Sequence, residues 1–342
     1  MTRIFVVDDS TFIRKALARV FRDEPGLELV GQAASGAEAM EKIPLSNPDL
    51  VTLDVAMPGM SGQQVLRALL RWKPHLKVVM LSAHTQEGAE ATVEALAAGA
   101  VDFIDKTSFN VMDLDTLRRG VIEKLNIWRV AEGVAPARAE LPSDGNGHAA
   151  HLGATARCEL CVIGASTGGP IALQRILERI PARFPMPIVI VQHMPVGFTG
   201  PFAERLGRLS KLEVSEAEEG ARLRAGGVVV APAGRHLRIT AKLTVVLRGE
   251  PADAKHIPSV DIAMKSAARA RPGRVLGILL TGMGQDGAEG MAAIRASGGV
   301  TIAESEATCV VYGMPRAAEM LGAVDCLLPL PEIVSFLEGL TR

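Results

Sequence analysis

The sequence lacks an excess of positive charge and any long apolar run. Its 342 residues carry 37 Lys and Arg against 38 Asp and Glu, a formal net charge of −1. This balance argues against nonspecific nucleic-acid binding, which usually requires a basic domain. No stretch is long and apolar enough to span a membrane, and a strand pattern begins almost at the N-terminus, which leaves no room for a signal peptide. We therefore expect a cytoplasmic protein with no nucleic-acid partner and no membrane insertion.

Cysteine is also scarce, and only Cys158 and Cys161 stand close together, in a C-x-x-C spacing. A metal site would need His ligands or a second cysteine pair nearby, and the sequence has neither there. Both residues fall within one predicted strand, and reduced buried cysteine is common in cytosolic proteins. We expect both to be structural residues.

The length predicts about two domains. Apolar strand patterns alternate with amphipathic helix patterns on both sides of an aperiodic segment rich in Pro and Gly. We predict a domain at 1–126, a linker at 127–156 and a domain at 157–342, both domains being doubly wound α/β with mostly parallel sheets. In the second domain, Val228–Pro232 and Leu243–Leu247 predict an antiparallel hairpin at the edge of the sheet.

Acidic residues follow two predicted strands of the first domain, Asp8 and Asp9 after one and Asp54 after the other. Because parallel strands end at the same rim of a sheet, three carboxylates would crowd one pocket, and a hard cation such as Mg²⁺ would relieve their repulsion. Two more strands bring Ser82 and Lys106 to this rim, and a Lys point charge suits a phosphoryl group. Solvated charges at strand ends would explain any one of these residues but not the ordered set.

Three reactive residues follow three apolar strand patterns of the second domain. Ser166 lies in Glu159–Pro170, where small residues open a helix and let a substrate approach backbone amides. His193 ends a second strand, and Asp286 lies in the loop after a third. Since these strands end at one rim, the residues form a candidate set of nucleophile, base and orienting acid.

Each of these residues also has a structural interpretation. His193 could bond a backbone carbonyl, and Asp286 could be the N-cap of the helix that follows it. Neither role requires three groups at one rim, which favours the reactive set. Two other histidines stay open as rivals: His236 lies in an alternating strand pattern typical of a half-exposed residue, and His256 lies in a charged loop where it could bind substrate.

Taken together, these motifs resemble one family. Residues 1–125 resemble the receiver domain of bacterial response regulators, and the C-terminal half resembles the catalytic domain of the chemotaxis protein-glutamate methylesterases, the CheB family. The resemblance implies a flavodoxin-like receiver followed by a Rossmann-like catalytic domain with an edge hairpin. The most specific segments are in the C-terminal half: Gly164–Pro170, Gln192–Pro195, Thr281–Gly287 and Glu306–Pro315.

The resemblance assigns the residues of the first rim to phosphorylation. They are the phosphoacceptor Asp54, the Mg²⁺ ligands Asp8, Asp9, Asp54 and the Ala56 backbone carbonyl, the phosphoryl contacts Ser82 and Lys106, and the switch residue Phe103. The chain departs from the usual receiver pattern at Thr107, where Pro commonly follows the Lys. It also has Ala at position 56, which offers a metal only its carbonyl.

In the second half the resemblance implies that Ser166 is the nucleophile, His193 the general base and Asp286 the residue that orients it. The backbone amides of Thr167 and Met283 would form the oxyanion site. The implied reaction hydrolyses glutamate methyl esters with release of methanol and needs no metal, and some members also deamidate glutamine. The implied partners are methyl-accepting chemoreceptors as substrate and a chemotaxis histidine kinase as phosphodonor.

Two other classes of function compete with this interpretation. A receiver joined to a DNA-binding output predicts a compact, basic helical segment, whereas the C-terminal half has a strand-rich α/β pattern. A non-catalytic, phosphorylation-dependent scaffold would tolerate the loss of any member of the reactive set. All three members are present, and the esterase is the favoured hypothesis.

Overall fold

The computed structural model of the protein describes residues 1–83, 85–106, 118, 121–122, 155 and 157–340. The chain divides into two compact units, Met1–Ala135 and Pro136–Arg342. Thr107 and almost all of the predicted linker at 127–156 lie outside the described residues. The exact domain boundaries therefore stay predictions.

The first unit is built on a parallel sheet. Within residues 1–83 and 85–106 its strands are β1 (Thr2–Val7), β2 (Leu27–Ala33), β3 (Leu50–Asp54), β4 (Lys77–Ser82) and β5 (Asp102–Asp105), and its helices are α1 (Thr11–Arg22), α2 (Gly36–Ser46), α3 (Gly62–Trp72) and α4 (Gln86–Ala97). The strand order is β2-β1-β3-β4-β5, and every neighbouring pair is parallel. This is the flavodoxin-like doubly wound order, which confirms the predicted fold.

The helices of this unit begin at hydroxyl side chains. Ser10, Ser35, Ser61 and Thr85 each accept a hydrogen bond from a backbone N–H in the first turn of α1 to α4. Such caps satisfy N–H groups that have no partner inside the helix. For α1 the cap lies only three residues after β1, so the chain leaves the sheet at the rim and keeps the intervening Asp8 and Asp9 there.

The second unit contains a larger parallel sheet with helices on both faces. Its strands in the described part of the chain are β6 (Leu160–Ala165), β7 (Ile188–Gln192), β8 (Glu213–Glu216), β9 (Gly227–Val230), β10 (His236–Ile239), β11 (Val245–Arg248), β12 (Val275–Leu279), β13 (Val300–Glu304) and β14 (Cys326–Leu328). Its helices are α5 (Gly169–Arg179), α6 (Thr199–Leu209), α7 (Val260–Ala270), α8 (Ala288–Ala296), α9 (Met314–Met320) and α10 (Leu330–Gly339). No described helix has both the length and the apolar character needed to cross a bilayer.

The main sheet of this unit has the order β14-β13-β12-β6-β7-β9-β8, with parallel neighbours throughout. Every residue of β6, β7 and β12 is buried, as expected for central strands covered on both faces. These are the three strands after which the sequence analysis finds Ser166, His193 and Asp286. Their carboxyl ends lie side by side at one rim.

The hairpin prediction was wrong in its choice of strands. Residues 227–230 form β9, which lies inside the main sheet between β7 and β8 and runs parallel to both. The antiparallel pair is β10 with β11, which forms a separate two-stranded sheet. A run of three consecutive valines, Val228 to Val230, fits a buried parallel strand as well as a hairpin arm, so its periodicity could not separate the two.

The half-exposed position expected for His236 was also wrong. Its side chain is completely buried, because the β10–β11 hairpin packs against α7. The ring is held at both nitrogens: Nδ1 accepts a hydrogen bond from Ser259 N–H (3.2 Å), and Nε2 lies 3.1 Å from Pro251 O, to which it donates. Since both nitrogens are used, His236 is not a free base for a nucleophile.

The C-x-x-C pair does not form a disulfide. All four cysteines are free, and Cys158 lies before β6 whereas Cys161 lies within it. Burial raises the pKa of both thiols, that of Cys158 to about 11. Neither residue is therefore a reactive thiolate at neutral pH.

The turn between β6 and α5 requires glycine at position 168. Gly168 is the N-cap of α5, has φ +79° and makes no side-chain cap. A Cβ atom there would lie 2.5 Å from Val310 Cβ. Both the left-handed backbone and the contact with Val310 exclude a side chain.

We expect Gly168→Ala to destabilise the second unit more than Gly220→Ala does. Gly220 has a similar φ of +76° but no atom within 4 Å of its Cβ position. Its substitution should therefore lower the free energy of unfolding only by the cost of a side chain on a left-handed backbone, about 1 kcal/mol. At Gly168 the clash should add about 1–3 kcal/mol. Denaturant unfolding of both variants measures the difference, and equal losses would show that the contact with Val310 is unimportant.

Candidate active site and metal centre

Three carboxylates meet at the carboxyl rim of the first sheet. Asp8 and Asp9 follow β1, and Asp54 ends β3, which is paired with β1. Oxygen atoms from the three side chains all lie within 4.8 Å of one another. Asp8 and Asp54 are buried, while Asp9 is exposed. This is the cluster that the strand-end pattern of the sequence predicts.

Lys106 compensates part of this negative charge. Its Nζ lies 2.8 Å from Asp8 Oδ2 and 2.7 Å from Asp54 Oδ2. Burial nevertheless raises the pKa of Asp54 to about 6, against the lowering effect of the hydrogen bond and charge of Lys106, and the charge of Asp8 adds to the rise. Burial thus outweighs the effect of the single ammonium group on this carboxylate. The donor set of clustered carboxylates fits a hard divalent cation such as Mg²⁺.

The other predicted receiver residues lie around the same rim. Ala56 N–H donates to Asp54 Oδ1 (3.2 Å), and Phe103 is buried in β5. The Ser82 hydroxyl lies at the end of β4 but accepts a hydrogen bond from Thr92 Oγ1 (2.7 Å) and lies 3.2 Å from Gly88 O. The roles of Ala56, Ser82 and Phe103 toward a phosphoryl group stay predictions.

Ser166 and His193 are neighbours at the rim of the second sheet. The register pairs Ala165 of β6 with Gln192 of β7, so the next residue of each strand lies at the same height. His193 N–H donates to Ala165 O (3.1 Å), and Ser166 N–H donates to Thr281 O (3.0 Å). The turn that contains Ser166 is therefore held between the ends of β7 and β12.

Asp286 holds His193 and is itself held by a helix end. His193 Nε2 lies 2.8 Å from Asp286 Oδ2, and both side chains are about nine-tenths buried. The same carboxylate accepts from Ser259 Oγ (2.9 Å), Val260 N–H (2.7 Å) and Asp261 N–H (3.0 Å), all at the start of α7. The proposed N-cap of α8 is therefore not Asp286 but Gly287, and Asp286 binds the N-terminus of a different helix.

These donors keep Asp286 ionised. Burial alone would raise the pKa of Asp286, but the hydrogen bond and charge of His193, together with the amides of Asp261 and Val260, outweigh burial and lower the pKa to about 2. At neutral pH the carboxylate is charged and its position is fixed. It can therefore orient the imidazole and stabilise the imidazolium ion.

The geometry identifies which nitrogen of His193 is available as a base. A neutral ring that donates its Nε2–H to Asp286 has its lone pair on Nδ1. Nδ1 is buried and has no hydrogen-bond partner within the described ranges, and no hydrogen bond there joins it to Ser166. Such contacts are often long in unliganded enzymes and tighten when substrate binds. Nδ1 is the acceptor that Ser166 could use.

The two segments that carry the predicted oxyanion amides are joined together. Thr281 Oγ1 donates to Thr167 O (2.9 Å) and accepts from Val311 N–H (2.9 Å). Gly282 N–H donates to Val311 O (3.0 Å), directly before Met283. The turn after β6 and the loop after β12 thus have a fixed relative position, although the role of their amides stays a prediction.

His256 lies against the catalytic candidate. Its ring stacks on the ring of His193 with centroids 4.2 Å apart and an angle of 13° between the planes. His256 and Asp286 also line a pocket of about 650 Å³, with Arg316 on its wall. The pocket lies beside this rim, and the role of His256 in binding substrate stays a prediction.

Sequence reasoning missed the residues that hold this site together. Gln192 Nε2 donates to Ser166 O and His193 O, and Glu304 Oε2 accepts from Thr281 N–H. Ser259 and Asp261 contact Asp286 from α7. Gln192 and Thr281 lie inside the motifs already singled out, but Ser259 and Asp261 had no local signal, because their partner is 25–27 residues away in the chain.

Comparisons with known proteins agree with this geometry. Residues 161–337 match the model of the CheB methylesterase family, and residues 4–117 match the response regulator receiver domain. A protein-glutamate methylesterase/protein-glutamine glutaminase of Carboxydothermus hydrogenoformans is 45% identical over 341 residues, 97% of this chain and 96% of that protein. A protein of the same name from Archaeoglobus fulgidus is 43% identical over 353 residues, 98% of each chain.

A solved structure supports the fold of the second unit. The crystal structure of the Thermotoga maritima CheB methylesterase catalytic domain is 40% identical, with a TM-score of 0.52, and covers 54% of this chain and 98% of that one. The two family matches follow the order of the two units along the chain. With relatives similar over almost their whole length, this chain belongs to the CheB methylesterase family, with a response regulator receiver domain in its N-terminal half.

Proposed function

We propose that this chain is a phosphorylation-regulated protein-glutamate methylesterase that hydrolyses glutamate methyl esters on chemoreceptors and also deamidates glutaminyl side chains. The observation that carries the proposal is the 2.8 Å contact between His193 Nε2 and Asp286 Oδ2 at the rim where the Ser166 turn ends. Relatives that bear the corresponding name match nearly the entire chain. A chemotaxis histidine kinase is the proposed phosphodonor.

The proposed reaction uses Ser166, His193 and Asp286 in turn. His193 Nδ1 takes the proton of Ser166 Oγ as that oxygen attacks the ester carbonyl, and the ionised Asp286 stabilises the resulting imidazolium. The N–H groups of Thr167 and Met283 donate to the tetrahedral oxyanion. Methanol leaves with the proton from His193. Water then attacks the acyl-enzyme, with His193 as base again, and releases the glutamate carboxylate.

Deamidation follows the same route with a different leaving group. The glutaminyl amide carbonyl takes the place of the ester, and ammonia leaves with the proton from His193. Both reactions need only the groups of this rim. The pocket beside Asp286 and His256 is the proposed site for the substrate chain.

The first unit is the proposed regulatory input. Asp8, Asp9 and Asp54, with the Ala56 carbonyl, would hold Mg²⁺, which neutralises the charge of the incoming phosphoryl group when it is bound. Asp54 is the proposed phosphoacceptor. Lys106, which already contacts Asp54 (2.7 Å), would pair with the phosphoryl oxygens, and Ser82 and Phe103 would report the change to the surface of the unit.

The first test of this proposal concerns the reactive set. We expect Ser166→Ala and His193→Ala to lower the rate of methanol release from methylated receptor membranes roughly 10⁶-fold, and Asp286→Asn roughly 10⁴-fold, since Asp286 makes no bond itself. Ser335→Ala removes an exposed hydroxyl on α10 and should leave the rate unchanged. Near-normal release from Ser166→Ala would remove the proposed nucleophile, and no release from the wild-type chain would favour the scaffold.

A second test concerns the metal. An acid whose pKa is raised to about 6 is about half protonated near that pH in the metal-free protein. A bound cation favours the charged carboxylate, so Mg²⁺ should release protons when it is added near pH 6 and release few at pH 8, where Asp54 is already ionised. Calorimetry in two buffers of different ionisation enthalpy measures this release. Asp54→Asn is the control, and equal release from it would assign the proton to another group.

A third test joins the two units. A small-molecule phosphodonor with Mg²⁺ should raise methanol release by the wild-type chain and leave Asp54→Asn unchanged, because only the former has an acceptor carboxylate. Radiolabelled phosphate should appear on the wild type and be absent from the variant. Equal stimulation of both proteins would show that Asp54 is not the regulatory site.

A further inference from the structure

Helix α8 has no N-cap side chain of its own. Its N-cap residue is Gly287, with φ +98° and no side-chain cap. Instead, Asp261 of α7 supplies the missing acceptor: its Oδ1 accepts from Gly287 N–H (3.0 Å) and Gly290 N–H (2.6 Å). These are N–H groups of the kind that a helix N-terminus leaves without a partner.

The relation between the two helices is reciprocal. Asp286, directly before Gly287, binds the N-terminus of α7 through Val260 N–H and Asp261 N–H. Asp261 binds the N-terminus of α8 through its carboxylate. We call this pair of interactions the cross-cap. Gly290 permits it, because a Cβ atom there would lie 2.6 Å from Met264 Cβ and 3.2 Å from Asp261 Cα.

The cross-cap anchors one end of the loop that carries Met283 and Asp286. The other end is held at Gly282, whose N–H donates to Val311 O (3.0 Å) and whose carbonyl accepts from Met314 N–H (2.9 Å). Between these anchors, Gly284 and Gln285 are exposed. The Cβ position of Gly284 has no atom within 4 Å. On the Gly282 side the loop backbone packs on Gly313, where a Cβ atom would lie 3.1 Å from Gly284 N and 3.3 Å from Met283 Cα. On the other side, next to Asp286, the cross-cap is the anchor.

We propose that Asp261 is a positioning residue for the ester hydrolysis: its Oδ1 fixes the end of the loop that presents Asp286 to His193 and the Met283 amide to the oxyanion. This inference rests on the proposed function. Asp261 makes no described hydrogen bond to Ser166 or His193; it contacts Asp286 through its backbone N–H and also lines the pocket beside that residue. What the loop requires is an acceptor oxygen at the Oδ1 position, and a neutral amide oxygen supplies one as well as a carboxylate does.

The test compares three variants of the full chain in the methanol-release assay. Asp261→Ala removes the acceptor and should lower kcat about 10- to 100-fold, because small errors in the placement of reacting groups have effects of this size. Because Asp261 also lines the pocket proposed for the substrate, KM can change as well, and kcat is the quantity that decides the test. Asp261→Asn retains an acceptor oxygen and should restore kcat to within about threefold of wild type.

Asp325→Ala is the matched structural control. Asp325 also holds a backbone amide through a carboxylate, accepting from Thr301 N–H (2.9 Å), but at the amino end of β13, on the opposite side of the sheet from the rim. Asp325→Ala should lower the melting temperature of the protein. It should leave kcat unchanged when the assay temperature lies below the melting temperatures of all variants. A role of Asp261 in stability alone would make the two Ala variants alike in kcat.

Three results would overturn the proposal. They are wild-type kcat in Asp261→Ala, a kcat in Asp261→Asn as low as in Asp261→Ala, and an equal loss of kcat in Asp325→Ala. If Asp261→Ala does not fold, Asp261→Asn decides alone, since a loss beyond about threefold at unchanged melting temperature contradicts an acceptor role. Ser166→Ala is assayed in parallel. If Ser166→Ala is active, the proposed function is refuted. If Ser166→Ala is inactive and Asp261→Ala is fully active, only the positioning role of Asp261 is refuted.

Discussion

The active rim of the second unit depends on one carboxylate, that of Asp286. Its two oxygens accept four hydrogen bonds, three from the N-terminus of α7 and one from His193. Burial would raise the pKa of Asp286, but the hydrogen bond and charge of His193, together with the amides of Asp261 and Val260, lower it to about 2. An ionised carboxylate at this position accepts Nε2–H of His193, which leaves the lone pair of the neutral ring on Nδ1.

The two units handle buried carboxylates in opposite ways. Asp286 has several protein donors and stays ionised, whereas Asp54 has a carboxylate neighbour and one ammonium partner, and its pKa is raised to about 6. The first arrangement suits a permanent electrostatic partner for an imidazolium ion. The second suits a site completed by a cation and chemically modified at intervals. The same α/β architecture thus holds a carboxylate that stays ionised at the rim of the second sheet and a carboxylate whose protonation changes near neutral pH at the rim of the first sheet.

The sequence predicts the fold and the members of both rims well, because strand ends in parallel sheets bring certain residues to one edge. It does not predict how they are held. The hairpin was assigned to β9 because three consecutive valines carry too little periodicity. His236 was expected to be half exposed because its strand pattern alternates, and nothing in that pattern shows that α7 covers it. Asp286 was considered as a cap for the helix that follows it, whereas it binds a helix whose first residue is 26 positions earlier. Such contacts arise from packing and leave no local pattern.

The central claim is that His193 and Asp286 activate Ser166. The most direct test is the rate of covalent labelling by a fluorophosphonate, which reacts with activated serines, followed by mass spectrometry of the labelled peptide. The account predicts a single modification, on Ser166, with a rate that falls steeply in His193→Ala and in Asp286→Asn while both variants remain folded. Labelling at another residue, or an unchanged rate of Ser166 labelling in His193→Ala, would contradict it.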